Sequence, residues 1–342
     1  MELIIKISLI KIFNFTHLYL KFFRYFGVAM WYNVAMRVCI LGGTGYLGTH
    51  IINTLIKEDN EVYCICRSDS KSEKKFLNEN KVTYVVSDYK ILRKLFADTQ
   101  FDCIINASCT YMKNARIDDV VDSNLIFPSR VLALGVENYY GINSEYNAYH
   151  NINGKREKQL RFISIGTGLP NNFNLYTYTK KQFNRMGHFF SNEYGLEFIN
   201  IELENYFGEN EPSSRFIPYV IEKLKNNEDV PLTQGEQLRD FVYINDVINA
   251  IILIMKKEQV PPYLDVPLGS GDAPSIKELV KYIKEIMNSK SELQFGKVPL
   301  RPNEPSSFAN LAMYNMLGGK IEWSWKEGIK NMLKEEGLLW KD

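Results

Sequence analysis

Three features of this chain predict an α/β fold in which a doubly wound parallel sheet carries a smaller C-terminal α/β lobe. Strand-like and helix-like runs alternate from residue 36 to about residue 200, as in parallel sheets with crossover helices. The first strand-like run ends in a cluster of glycines that opens a helix. Beyond residue 202 the alternation loosens and Pro and Gly punctuate the chain. Strands are predicted at Arg37–Leu41, Glu61–Cys66, 82–87, 102–107, Arg161–Ile165 and 197–201, each a short apolar run rich in Val, Ile, Cys or Phe. Helices are predicted between them at Tyr46–Lys57, 90–96, 118–134 and 176–193, where apolar residues recur at helical spacing. Further on, helices are expected near Phe216–Lys225 and 245–255, followed by a strand–loop–helix run over 264–288.

The 342 residues are 45% hydrophobic and 24% charged with a net charge of +1, a globular composition sized for one large or two coupled domains. Near-neutral charge without long single-sign runs gives no reason to expect a nucleic-acid partner. The cysteines Cys39, Cys64, Cys66, Cys103 and Cys109 all fall in or beside predicted strands, and read as small core residues of a cytoplasmic protein. His17, His50, His150 and His188 have no metal-ligand spacing, so metal catalysis is not expected. Residues 1–35 are apolar and aromatic, with Lys6, Lys11, Lys21 and Arg24 interrupting any stretch of the roughly 18–20 residues a spanning helix needs. The favoured reading takes Met36 as the true start; an amphipathic membrane-surface helix and a partner-binding arm are the alternatives. Firm membrane association is not expected. The domain plan is therefore an extension (1–35), a dinucleotide-binding domain (36–203, with 240–260 returning to it) and a substrate lobe (204–239 and 261–342).

Gly42-Gly43-Thr44-Gly45-Tyr46-Leu47-Gly48 follows the first strand with the spacing Gly-x-x-Gly-x-x-Gly. Gly42 is expected to make the turn, Gly45 to let backbone approach a pyrophosphate, and Gly48 to let the helix pack closely on its strand. The helix N-terminus then offers N–H donors and a positive dipole to the phosphates. This is a Rossmann-type arrangement. The second strand ends in Arg67-Ser68 rather than in the acidic residue that selects NAD. A guanidinium there suits a 2′-phosphate, so NADP(H) is favoured over NAD(H), with Asp69 turning in on the ribose as the alternative. Asp88 is placed either to accept from the adenine amino group or to cap the next helix.

Tyr176-Thr-Tyr-Thr-Lys180 places a phenol and an ammonium on one helix face. A tyrosine is a poor acid–base group until a neighbouring cation favours its phenolate, which makes the pair suited to proton transfer coupled to hydride transfer. Arg239, between the Gly235 turn and the run Phe241-Val-Tyr-Ile244, is a cation at an element end suited to a diphosphate, or else a salt-bridge partner of Asp240 or Glu236. Arg301, near Glu304, is a second diphosphate candidate.

With these residues in place, the chain from Met36 onward resembles an extended short-chain dehydrogenase/reductase of the nucleotide-sugar epimerase/dehydratase family. The glycine loop, Asn106-Ala107 at the end of the fourth strand, Asn124 within a helix and the Tyr176/Lys180 pair are similar to that family's motifs. Leu232 to Val247 resembles the segment whose arginine grips the substrate diphosphate, and Glu204-Asn205-Tyr-Phe-Gly208 the loop whose asparagine touches the sugar nucleotide. The resemblance implies cofactor contacts at Gly42, Gly45, Tyr46, Leu47, Gly48, Arg67, Asp88, Ala107, Tyr176 and Lys180. It implies substrate contacts at Asn205, Arg239 and Arg301, a nucleoside-diphosphate sugar as partner, and a homodimer.

The chain departs from that pattern after the fifth strand. Ile165 stands at the usual hydroxyl position and cannot donate a hydrogen bond. Thr167 is the first replacement and Ser164 the second. Ile165-Gly166-Thr167 also stands where sugar 4,6-dehydratases carry Thr-Asp-Glu, so a dehydratase is disfavoured. Arg67, the short loop after Thr167 and the missing acids favour a reductase of 4-keto-6-deoxy sugars over a 4-epimerase. The runs 122–128 and 174–183 look most like enzymes making 3,6-dideoxy or 6-deoxy sugars on a cytidine or deoxythymidine diphosphate. A redox-inert nucleotide-binding module is the remaining alternative, although such modules usually lose the tyrosine or lysine present here.

Overall fold

A computed structural model describes residues 35–67, 81–111, 115–140 and 159–339; the expectations for residues 1–34 and for Asp69 lie outside them. The first half of the chain runs β1 (Arg37–Leu41), α1 (Tyr46–Lys57), β2 (Glu61–Cys66), β3 (Val82–Val86), α2 (Tyr89–Asp98), β4 (Cys103–Asn106), α3 (Ile117–Val121), α4 (Phe127–Tyr140) and β5 (Arg161–Ile165). The second half continues with α5 (Leu175–Tyr194), β6 (Glu197–Leu203), β7 (Asn205–Phe207), α6 (Phe216–Lys225), β8 (Val230–Pro231), β9 (Phe241–Tyr243) and α7 (Ile244–Lys256). It closes with β10 (Tyr263–Leu268), α8 (Ile276–Ile286), β11 (Leu293–Gln294), α9 (Ala312–Met316) and α10 (Trp325–Glu335).

Seven strands make one parallel sheet in the order β10-β6-β5-β4-β1-β2-β3. Strand order reverses between β1 and β4, which opens a crevice at their C-terminal ends where doubly wound sheets bind ligands. Both faces of the sheet are covered, and side chains along β1 alternate between them. Val38 and Ile40 pack into a core with α1, α6, α7, α8 and α10. Cys39 and Leu41 face a second core built from α2, α4 and α5. Arg161 and Glu197 form a buried ion pair (2.7 Å), and Arg161 Nη1 also donates to the carbonyls of Ile254, Met255 and Lys257, tying the C-terminus of α7 to the sheet.

Two expectations are corrected. Tyr263–Leu268 is not part of the C-terminal lobe: it pairs with β6 over its whole length as the seventh strand of the sheet, because α7 acts as a crossover that returns the chain to that edge. The helix predicted over 118–134 is interrupted at Asp122–Ile126 by a π-helical turn, which inserts extra residues and turns the side chain of Asn124 inward. The remaining segments add two small parallel pairs, β7 with β9 and β8 with β11.

Candidate active site

The glycine loop builds the floor of the crevice. Gly42 sits at φ +72, and a Cβ there would lie 2.7 Å from Ser108 Cα and N, so only glycine lets the turn after β1 meet the segment after β4. A Cβ on Gly48 would lie 2.2 Å from Gly42 O, which fixes how closely α1 approaches that turn. Gly45 is the N-cap of α1, and among the described residues the one heavy atom within 4 Å of a Cβ there is Gly42 O at 3.2 Å. The face over the helix N-terminus is therefore open to a phosphate, and the residues fit a dinucleotide pyrophosphate. Arg67 directly follows β2 and is exposed. Asp88 caps α2, Oδ1 accepting from Lys90 N (2.9 Å) and Ile91 N (3.1 Å), so of its two expected roles capping is the one formed.

Tyr176 lies in the first turn of α5, which begins with a reciprocal cap: Asn174 accepts from Thr177 N (2.9 Å) while Thr177 Oγ1 accepts from Asn174 N (3.1 Å). One turn later the buried Lys180 donates through Nζ to Ser108 O (2.8 Å) and Ile165 O (2.9 Å), bridging the segments that follow β4 and end β5. Burial lowers the ammonium's pKa. Tyr176 is 7% exposed, and burial raises its phenol well above the usual tyrosine value, so it is a protonated hydrogen-bond donor at neutral pH. Hydrogen bonds from Thr167 and Tyr111 oppose that shift by favouring the phenolate.

The cleft is lined by Leu47, Ala107, Cys109, Tyr111, Ile165, Thr167, Tyr176, Lys180, Glu204, Asn205, Tyr206 and Arg215, among others. The two candidate hydroxyls separate here. Thr167 lines the cleft and touches Tyr176, whereas Ser164 is embedded in β5 between Asn106 and Asn200 of the neighbouring strands. Tyr46 stacks on Tyr206 (5.9 Å, 7° between planes) at one wall. Asn205 lines the same wall and donates through N and Nδ2 to Asp240 O. Glu204, also at the cleft, accepts from Ser307 Oγ (2.8 Å).

Arg239 is buried and ion-paired with Glu304, rather than with Asp240 or Glu236, the alternative to a diphosphate contact. Asp240 is fully buried and accepts from the N–H groups of Ser270, Gly271 and Ala309, while Glu236 pairs with Lys277 (3.2 Å). Arg301 is exposed, and its carbonyl accepts from Glu304 N. Cys109 corrects a further expectation: β4 ends at Asn106, so this thiol is not a core residue but faces the cleft. The close packing around it still raises its pKa.

Sequence reasoning missed Arg215. Its guanidinium lies 4.3 Å from the Tyr206 ring centroid, donates to Tyr206 O (2.8 Å) and pairs with Glu211 (2.9 Å). The signal was an Arg four residues after a Glu and just before α6, a spacing too common to point at a site. Tyr111 was missed as well; it stands in the loop after β4, with no motif of its own.

Residues 38–269 match the sequence pattern of the NAD dependent epimerase/dehydratase family. The chain is 28% identical over 306 residues to CDP-abequose synthase of Salmonella muenchen, covering 88% of this chain and 98% of that one. Over 309 residues it is 24% identical to a putative UDP-glucose 4-epimerase of Methanocaldococcus jannaschii, covering 86% of this chain and 97% of that one. Among solved structures, the UDP-glucuronic acid 4-epimerase of Bacillus cereus superposes with a TM-score of 0.74 at 16% identity, over 89% of this chain and all of that one. The UDP-glucose 4-epimerase of Thermotoga maritima superposes at 0.71 and 19% identity, again over 89% and 100%. A seven-stranded parallel sheet, a glycine cradle at its switch point and the match over 38–269 lead to one conclusion: the chain belongs to the NAD dependent epimerase/dehydratase family.

Proposed function

We propose that this protein reduces the 4-keto group of a nucleoside-diphosphate 4-keto-6-deoxyhexose with NADPH, in the synthesis of a surface-polysaccharide sugar. The observation that carries this reading is the grouping of Tyr176, Lys180 and Thr167 around one cleft at the switch point, where residues 165–167 carry no Asp or Glu. Ile165 and Gly166 offer no titratable group, and the Glu204 carboxylate is held by Ser307. Similarity to a CDP-abequose synthase over most of both chains supports the substrate class.

The dinucleotide, when bound, supplies the hydride that adds to C4. The chain does the rest. Gly42, Gly45 and Gly48 shape the cradle for its pyrophosphate, beside Tyr46, Leu47 and Ala107, and Arg67 at the end of β2 would take a 2′-phosphate. Lys180 has two N–H donors engaged by carbonyls, leaving the third for the nicotinamide ribose, and its charge favours the phenolate that forms as Tyr176 gives up its proton. Thr167 orients the carbonyl oxygen toward Tyr176. Asn205 and Arg239 are the contacts for sugar and diphosphate, with Arg239 exchanging Glu304 for the phosphate oxygens.

The test uses deuterium. With NADPH labelled at C4 of the nicotinamide and CDP-, dTDP- or GDP-4-keto-6-deoxyhexose as substrate, product NMR should show deuterium at the sugar C4. Thr167→Val should slow this transfer, whereas Ser164→Ala should leave it near the wild-type rate. A product without deuterium at C4 would overturn the reading. The second reading, a 4-epimerase, draws on the fold's likeness to epimerases.

A further inference from the structure

The face of the sheet beneath α5 carries an aromatic row followed by a polar one. Phe162, Phe198 and Tyr263, on β5, β6 and β10, stack in line (5.4 and 6.3 Å between centroids, 11° and 7° between planes). Phe183 of α5 packs on the first two. Two residues further along each strand, toward its C-terminal end, the register partners are Ser164, Asn200 and Asp265, and Asn106 of β4 continues the row. Asn106, Ser164 and Asn200 are no more than 2% exposed. Burying polar groups costs free energy unless they are paired, so what these pairs hold is informative.

The row pins α5 at two successive turns. At its β4 end, Asn106 Oδ1 accepts from Ser108 N (3.2 Å) and Oγ (2.6 Å), and Ser108 O accepts from Lys180 Nζ (2.8 Å). At its β10 end, Asp265 Oδ1 accepts from Nδ2 of Asn184 (2.9 Å), one helical turn after Lys180, and from Nδ2 of Asn200 (2.7 Å). The Tyr263 hydroxyl donates to Asp265 Oδ2 (2.7 Å), with Asn184 Oδ1 3.1 Å away. Asn200 also supports the loop after β5: a Cβ on Gly166 would lie 2.3 Å from Asn200 Oδ1. Gly166 stands between Ile165, whose carbonyl is the second acceptor for Lys180 (2.9 Å), and Thr167. Asp265 is thus joined to α5 through Asn184 and to the Thr167 loop through Asn200. It is not itself among the residues lining the cleft.

We propose that Asp265 is a positioning residue that holds Tyr176 and Lys180, on α5, in register with Thr167 on the loop after β5. This rests on the reductase reading above, in which those three groups act together on one carbonyl. The carboxylate serves as an acceptor rather than as a charge, since its three donors are neutral. Without it the buried amides of Asn184 and Asn200 lose their partner, and helix and loop can shift against one another. A displacement of about 1 Å among reacting groups can cost about 10²-fold in rate. Lys180 keeps both of its carbonyls, so dinucleotide affinity does not depend on Asp265.

The test compares two substitutions at this position. Asp265→Asn keeps an oxygen for both amides, and its new N–H can donate to the Tyr263 hydroxyl as that hydroxyl turns to Asn184 Oδ1. Asp265→Ala keeps neither contact. In turnover with NADPH and a 4-keto sugar, Asp265→Ala should lower kcat roughly tenfold or more, with KM and NADPH affinity within about twofold of wild type. Asp265→Asn should restore kcat. Asn184→Ala, which cuts only the helix arm, should also lower kcat, and should add little when combined with Asp265→Ala. Hydrogen–deuterium exchange in cofactor-free protein needs no substrate: the Gly166 N–H, bonded to Ile201 O (2.8 Å), should exchange roughly tenfold faster in Asp265→Ala than in wild type or Asp265→Asn. A wild-type kcat in folded Asp265→Ala, or Asp265→Asn as impaired as Asp265→Ala, would overturn the positioning role. A wild type that reduces none of the 4-keto sugars would overturn the reductase reading, and unchanged exchange at Gly166 would then overturn the role of Asp265 as well.

Discussion

The two sides of the cleft are held in different ways. On the cofactor side the constraints are backbone: Gly42 and Gly48 leave no room for a Cβ, and Lys180 is anchored on two main-chain carbonyls. On the substrate side they are paired charges, Arg239 with Glu304 and Arg215 with Glu211, each enclosed by the segments after β6. Backbone constraints fix geometry whatever the ligand. Buried ion pairs hold charge that a phosphate or sugar can engage, and a single substitution changes them. In the proposed reaction the cofactor side is the common chassis, and the substrate side is where specificity would be set.

The largest effect expected is on the chemistry at the meeting point of the two sides. Tyr176→Phe should cut turnover by about 10²–10⁴ while leaving dinucleotide affinity near wild type, because the ring still packs and only the proton is lost. Lys180→Ala should lower both, which a fluorescence titration beside a turnover assay will show. Retention of most activity by Tyr176→Phe would assign the proton donor elsewhere.

Next comes the chassis itself. Gly48→Ala brings a Cβ to 2.2 Å from Gly42 O and 2.6 Å from Gly43 Cα, both backbone atoms that cannot swing aside. It should cost about 3 kcal/mol of stability and abolish dinucleotide binding, read by thermal denaturation with and without NADPH. A variant with wild-type stability and binding would show that the loop is softer than its backbone contacts imply.

These two positions were also the most legible in the sequence. The glycine spacing and the Tyr-x-x-x-Lys pair are local patterns, each read within one turn of chain, although Gly42 packs on Ser108 and Lys180 reaches Ser108 O and Ile165 O. Alternation along β1, with Val38 and Ile40 against Cys39 and Leu41, likewise needs only neighbouring residues to be read. Two of the misses are non-local. Arg239 finds Glu304 across 65 positions, and nothing near either residue distinguishes that pairing from one with Asp240 or Glu236. The π-helical turn around Asn124 is made by the hold on Thr110 from 14 residues away, where helical periodicity alone reads as unbroken. Cys109 was assigned to the core because strand length cannot be read to one residue, and β4 stops at Asn106.

A smaller effect concerns the edge of the cofactor side that carries charge. Arg67→Ala should weaken NADPH by about 1–3 kcal/mol and leave NADH unaffected, in parallel fluorescence titrations. Equal loss for both would remove Arg67 from the 2′-phosphate site.

The smallest effect sharpens the view of the substrate side. Burial pushes the Glu211 carboxyl up from 4.5 to about 7, against the pull of Arg215 and with Glu336 adding to the rise. The native state then holds a proton that the unfolded chain has released. The stabilisation from this group is complete below about pH 4.5 and is lost as pH rises through 7. Glu211→Gln should flatten that decline in urea titrations between pH 5 and 8. An identical slope in the variant would place the charge elsewhere.

The account stands most directly on the stoichiometry of the dinucleotide. Purified protein is incubated with CDP-, dTDP- and GDP-4-keto-6-deoxyhexoses and NADPH, with absorbance at the nicotinamide band followed alongside product NMR. A reductase consumes one NADPH for each 4-keto sugar converted, with one of the three nucleotides preferred. Interconversion of nucleotide sugars with no net loss of NADPH, or a tightly held NAD released only on denaturation, would contradict it.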